Sequence, residues 1–236
     1  MAQLTPFRQV SCFDIDRVDE FNFLGISFNE QLNWQSHINK ISNRCSRIIG
    51  ILNKLKRLLP LNIKIMLYTT LILSHLNYGL TAWGYRCDRL KKLQKKAVRI
   101  ICLSKYNAHT DPLFKSLNLL KVEHILKLQE LKLYHKFSNN KLPVYLQNLP
   151  LDQNNSVHNF NTRGQYNIHT IRVHHEFAKR SLRYSLPHTI NNAPDLLKDK
   201  VTTHSLHGFS NYIKLYYLNT YIEQCAIQNC YICQHD

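Results

Sequence analysis

Acidic residues are scarce in this chain of 236 residues: 15 Asp and Glu stand against 31 Lys and Arg. Glycine and proline are scarce too, at 6 and 7. Turn-dense sandwiches and barrels use more of both, so the composition points away from an all-β fold and towards helices. No long apolar run exists. The most apolar stretch, Ile65 to Leu73, is nine residues bounded by Lys64 and Ser74-His75, and a membrane span needs about 20. The first residues, Met1 to Asp16, contain no apolar h-region, so no signal peptide is expected. The seven cysteines (Cys12, Cys45, Cys87, Cys102, Cys225, Cys230 and Cys233) are odd in number and scattered. That excludes a secreted disulfide framework and implies a reduced, intracellular protein, with nucleus and cytoplasm not distinguished. Motifs of catalysis are missing as well. There is no P-loop, no G-x-G-x-x-G, no G-x-S-x-G, no H-E-x-x-H and no kinase signature.

What remains is a core-forming chain, 44% hydrophobic, with a formal net charge of +16 and a pI near 9.6. Such a balance selects a polyanionic partner. The charge is also localised. Residues 31–110 carry 15 Lys and Arg against a single acid, Asp88, whereas residues 1–30 are net acidic at −3. A surface built only for solubility mixes signs, so this segment reads as a nucleic-acid-binding one.

The hydrophobic period divides the chain. Residues 9–28 alternate irregularly and read as two short strands joined by a turn. From residue 34 the period becomes helical. Ile38, Ile41, Cys45, Ile48, Ile49, Leu52, Leu55 and Leu59 predict one amphipathic helix over 34–59, stopped by Pro60. A second helix over 61–78 is apolar nearly all round and is expected to be central. A third over 88–103 has Asp88 as its expected N-cap, and Leu90, Leu93, Ala97, Ile100 and Ile101 as its apolar face. Helices are further expected over 113–120, 122–138 and 206–224.

The expected fold class is therefore mainly α: a thumb-like helical bundle preceded by a small β-hairpin. The expected divisions are a hairpin segment at 1–30, a basic helical domain at 31–149, a polar linker at 150–170 and a less regular extension at 171–236 that ends in a helix.

The site expected from these patterns is a basic face. Lys40, Arg44, Arg47 and Lys54 lie opposite the apolar stripe of the first helix, and Arg89, Lys92, Lys96 and Arg99 line one side of the third. Cations at this spacing track phosphates. Trp34, Tyr68, Tyr78, Trp83 and Tyr106 offer rings for base stacking, although rings in such positions more often fill a core.

Three metal candidates are weaker. Asp14 and Asp16 share a strand face but have the look of an ordinary turn. His174-His175-Glu176 are neighbours whose side chains do not converge. The tail, Cys225, Cys230, Cys233 and His235, offers four soft ligands for zinc, with common spacing only at Cys230-x2-Cys233. His124 and His135 are read as surface or half-buried.

An ordered set of words runs through the chain. Phe21-Asn-Phe-Leu-Gly-Ile, Leu32-Asn-Trp-Gln-Ser-His-Ile, Leu58-Leu-Pro, His75-Leu-Asn-Tyr-Gly and Trp83-Gly come first. Leu93-Gln-Lys-Lys-Ala-Val-Arg-Ile-Ile, His109-Thr-Asp-Pro-Leu-Phe, Leu142-Pro-Val-Tyr-Leu and Asn161-Thr-Arg follow.

Over roughly residues 18–190 this resembles the region downstream of the polymerase core in reverse transcriptases of Jockey-like non-long-terminal-repeat retrotransposons. The late phrase Ser181-Leu-Arg-Tyr-Ser-Leu-Pro is shorter than the family's and lacks its Trp. The resemblance implies a thumb and post-thumb region of an RNA-directed DNA polymerase. It further implies template–primer RNA and DNA as partners and the polymerase core as another; the lack of a long apolar run, not the resemblance, points away from a membrane. The family's catalytic palm binds magnesium through paired aspartates. This chain contains no Asp-Asp pair, so magnesium is implied only for that absent palm, no residue here is assigned a catalytic role, and no polymerase activity is expected of the chain alone. The alternative reading is a non-enzymatic helical protein-interaction module whose basic charge is incidental.

Overall fold

The computed structural model describes residues 18–222 except 148, 150, 158, 159, 161, 176 and 177. The fold is mainly helical with one two-stranded antiparallel hairpin at its start. β1 (Glu20–Phe23) pairs with β2 (Ile26–Asn29), with Phe21 opposite Phe28 and Asn22 opposite Ser27. The turn is Leu24-Gly25, with φ of 48° and 79°. Two consecutive positive values make the tight turn whose twist suits a hairpin. The expected strand region began at residue 9, and residues 9–17, with Cys12, Asp14 and Asp16, lie outside the described residues.

α1 (Gln35–Leu55) buries Ile38, Ile41, Cys45, Ile49 and Leu52, the stripe its period predicts. It stops short of the expected residue 59. Leu58 and Leu59 N–H groups turn back onto the Leu55 carbonyl, at 3.0 and 3.1 Å, ahead of Pro60. The buried Lys64 then donates from Nζ to the Lys56 carbonyl at 3.3 Å, so a cation sits at the negative end of α1.

The expected second helix is a continuous rod of α2 (Leu61–Leu67), a π-helical stretch (Tyr68–Leu73) and α3 (Ser74–Asn77). Threonine hydroxyls at 69 and 70 both donate to the Met66 carbonyl, at 2.9 and 2.8 Å. Such back-bonding competes with the regular ladder where it widens. The rod is not buried all round, as its composition suggested. Tyr68, Ile72 and Leu76 face the core, whereas Leu61, Met66 and Leu71 are exposed.

Gly79, at φ 62°, turns the chain into α4 (Leu80–Trp83) and a 3-10 turn (Gly84–Arg86). A Cβ on Gly79 would meet the Ile26 Cδ1 at 2.6 Å, so the absence of a side chain lets the hairpin close on this bend.

α5 (Asp88–Ile101) follows. Asp88 is its first helical residue and not its cap; Cys87 holds the cap position, and the Asp88 carboxylate pairs with Lys91 at 3.2 Å. α6 (Asp111–Ser116) is shorter than expected, and α7 (Val122–Ser138) spans the expected residues.

α8 (Asn154–Val157), α9 (Leu182–Asn191), α10 (Asp195–Lys198), α11 (Lys200–Thr203) and α12 (Leu206–Asn219) complete the chain. The Ser205 hydroxyl caps α12 by accepting from Gly208 N–H at 3.2 Å. α12 ends before the expected residue 224, and 223 onward lies outside the described residues. α9 was not expected as a helix; it carries Pro187 inside it.

α7 organises the second half. α9, α11 and α12 pack on it, and α4 and α5 also meet it. The buried residues of α9 and α12, among them Leu186, Ile190, Phe209 and Ile213, join one continuous cluster with those of α1, α5 and α7. Among the described residues, no helix is long and apolar enough to cross a membrane.

Candidate nucleic-acid interface

α5 is strongly two-sided. Leu90, Gln94, Ala97, Val98 and Ile101 are buried, while Arg89, Lys92, Lys95 and Lys96 are exposed. Lys91 is drawn away from solvent into ion pairs with Asp88 and Glu123, at 3.2 and 3.4 Å. Arg89, Lys92 and Lys96 recur at three- and four-residue steps and so form one row up the outer side of the helix.

α1 lies beside α5 and runs parallel to it. At the first ends, Arg89 donates from Nη1 to Asn39 Oδ1 at 3.0 Å. At the last ends, a cleft of about 780 Å³ is lined by Asn53 of α1 with Lys56 and Arg57 just past its end, and by Lys96, Arg99 and Ile100 of α5. Between these two contacts, the strip of α1 that borders the α5 row is Asn39, Asn43, Ser46, Gly50 and Asn53, small or uncharged throughout.

The residues singled out in the sequence therefore do not form a single plane. Arg44, Arg47 and Lys54 are exposed, but at about 100° per residue they stand about 140°, 80° and 60° around α1 from the middle of the strip bordering α5. Lys40 is committed to the hairpin: its ammonium pairs with Glu20 and donates to Ser27 Oγ at 2.9 Å. The Lys40 hydrogen bond, with a second from Ser36, holds the Glu20 carboxyl below the usual carboxylate range. Arg99 is half-buried, with its Nε donating to the Ala108 carbonyl at 2.8 Å.

Two features of the cleft were not assigned from sequence. Lys56 and Arg57 complete its basic wall, and the signal for them was the dense run Lys54-Leu55-Lys56-Arg57 just before Pro60. The second feature is the way α5 ends. Leu103 stands at φ 55°, Leu103 N–H bonds to Ile100 O at 3.3 Å, and Ser104 N–H reaches Arg99 O at 3.0 Å. This is a Schellman ending with leucine where glycine is the usual occupant.

The aromatic candidates separate cleanly. Tyr68 and Trp83 are fully buried and Trp34 is half-buried, as core rings. Tyr78 and Tyr106 are exposed, Tyr106 at 91%. Tyr78 donates its hydroxyl to the Leu24 carbonyl at 2.5 Å, which ties the hairpin turn down. His124 is half-buried. His135 is fully buried, against expectation, because α12 covers it: its ring stacks on Phe209 at 5.0 Å, and its Nε2 bonds the His204 carbonyl at 2.8 Å.

Among the described residues, no three His, Cys, Asp or Glu side chains gather as a metal-holding group. His174 and His175 are exposed. Glu176 and the tail residues Cys225, Cys230, Cys233 and His235 lie outside the described residues. Compared with protein-family models, curated proteins and solved structures, the chain matches none.

Proposed function

We propose that this chain is a non-catalytic, nucleic-acid-binding helical module, a remnant of a retrotransposon reverse transcriptase whose thumb-like part holds a template–primer duplex. The observation that carries the reading is the solvent-facing row Arg89, Lys92 and Lys96 on α5, beside a parallel helix whose facing strip bears no acid. From residue 89 to 96 the row rises about 10 Å, which matches roughly three phosphates of one strand at 3.4 Å along a duplex axis. The polar side chains of Asn39, Asn43 and Asn53 supply neutral donors next to that track.

Fluorescence anisotropy of a labelled template–primer duplex, titrated at several salt concentrations, tests the reading. Binding should weaken linearly on a log–log plot, with about 0.9 of slope per phosphate neutralised. Affinity that is absent, or indifferent to salt, would overturn it.

One observation favours a protein partner as a second reading. Phe21 and Phe23 lie on the same face of β1, and both are more than half exposed together with Leu24. Substituting both phenylalanines by Ser leaves the duplex titration unchanged on the first reading, and abolishes partner capture on the second.

A further inference from the structure

The basic row on α5 runs into the cleft between the last turns of α1 and α5, and the contents of that cleft differ from a phosphate track. Four cations, Lys56, Arg57, Lys96 and the half-buried Arg99, stand on its walls, with no acid among its lining residues. Leu103 contributes an apolar, exposed side chain and does so from the left-handed region, at φ 55°. Leucine in that conformation is unfavourable where glycine would be relaxed, and such strain gathers at functional sites. Tyr106 stands at the rim with its ring in solvent.

The ring is not on a loose loop. Arg99 Nε holds the Ala108 carbonyl at 2.8 Å, and Ala108 N–H closes a turn on Lys105 O at 3.1 Å. Arg99 is thus a positioning residue for the loop that carries Tyr106.

A phosphate-only site needs neither the exposed ring nor the apolar wall. A duplex cannot use them, because its base faces are stacked inside. A ligand that is anionic and also carries a free flat ring uses all three features. We propose that this cleft seats an unpaired nucleotide of a single-stranded nucleic acid, its base stacked on Tyr106 beside Leu103 and its phosphates held by Lys56, Arg57 and Lys96. The volume of about 780 Å³ falls in the range of small-ligand sites. The cations also suit the negative ends of two helices, and helix-end neutralisation without any ligand is the outcome the test must separate. The proposal rests on the nucleic-acid reading above for its ligand class, and adds the single strand and its site.

The probe is a single-stranded pentanucleotide containing 2-aminopurine, with a blunt-ended duplex titrated in parallel. The 236-residue chain is used, as wild type, Tyr106→Ala, Tyr106→Phe and the double variant Lys56→Ala/Arg57→Ala. Stacking should quench the 2-aminopurine on binding. Tyr106→Ala should weaken the pentanucleotide about 5- to 150-fold, the span of one lost base stack, and Tyr106→Phe should restore most of the affinity and the quenching. The double variant should weaken the pentanucleotide and flatten its salt dependence. Blunt duplex affinity should be unchanged by Tyr106→Ala. Equal pentanucleotide affinity in wild type and Tyr106→Ala, at unchanged melting temperature, overturns the subsite and leaves the duplex reading standing. Tyr106-dependent binding of the pentanucleotide with no binding of duplex supports the subsite and overturns the template–primer reading. Binding of neither probe overturns both.

Discussion

Gln94 donates from Nε2 to the Tyr68 hydroxyl at 2.8 Å, fastening the buried side of the basic helix to the π-helical part of the neighbouring rod. The same amide nitrogen reaches the Leu120 carbonyl at 3.0 Å, and Oε1 accepts from Val122 N–H, the first residue of α7, at 2.8 Å. One buried glutamine thus joins three segments from the helix whose other side carries Lys92 and Lys96. Gln94→Leu keeps the bulk but leaves a buried N–H and a buried carbonyl without partners. The expected loss is about 2–4 kcal/mol in urea unfolding. A loss under about 0.5 kcal/mol would mean that packing alone holds these segments.

Lys92→Ala/Lys96→Ala removes two exposed cations from α5 without harming the helix, since Ala is its best former. The slope of log affinity against log salt for duplex should fall by about 2. Arg44→Ala/Arg47→Ala, on the other strip of α1, serves as the comparison and should change the slope less. Equal changes from the two pairs would show a diffuse attraction with no preferred face.

Glu130 is buried on α7 and accepts hydroxyl bonds from Tyr85, from Ser185 at 2.8 Å and from Thr189 at 2.5 Å. The last two sit on α9. Burial and the Glu130 carboxylate push the Tyr85 hydroxyl well above the usual range, which keeps it a donor. Glu130→Ala should cost about 3 kcal/mol by orphaning these hydroxyls, and amide exchange should rise first in α9. Uniform exchange across the chain would contradict a local latch.

Tyr221 Oη accepts from Lys121 N–H at 2.9 Å and shares a second hydrogen bond with His124 Nδ1 at 2.8 Å. The ring is stacked on Tyr217 and Tyr221 at 4.5 and 5.3 Å. Burial, with Lys127 and Lys121 adding to it against the opposing pull of Glu123 and Asp111, lowers the His124 pKa to about 4. The folded state therefore favours the neutral ring and the unfolded state binds the proton more readily. Stability from His124 is complete above about pH 6.5 and is lost as pH falls towards 4. The part-exposed ring should account for about 1–2 kcal/mol after solvent screening. Urea midpoints at pH 7 and pH 4.5 should converge between wild type and His124→Gln; parallel pH profiles would rule this out.

Leu103→Gly relieves the left-handed leucine that ends α5. Stability should be unchanged or rise by up to about 1 kcal/mol in thermal melting. A clear loss would show that Leu103 packing outweighs its backbone strain.

Much of the fold was legible as period. The stripe Ile38, Ile41, Cys45, Ile49 and Leu52 marks α1 because one spacing satisfies one buried face, and Val122 to Ser138 reads as a helix for the same reason. Boundaries were less legible. Leu58 and Leu59 carry the apolar period yet turn back on Leu55, since hydrophobicity does not record where a backbone hydrogen bond closes. α9 was missed because Pro187 and its mixed composition hide a helix that its packing against α7 supports.

The cation excess and its concentration in residues 31–110 belong to the sequence alone, because charge is additive and needs no fold to be counted. Which cations share a surface was decided by tertiary structure. Helical spacing orders residues on one helix but is silent on how the next helix is rotated against it. Only the parallel docking of α1 on α5 sets Lys56 and Arg57 beside Lys96, only the hairpin against α1 draws Lys40 to Glu20, and only the loop held by Arg99 places Tyr106 at the rim.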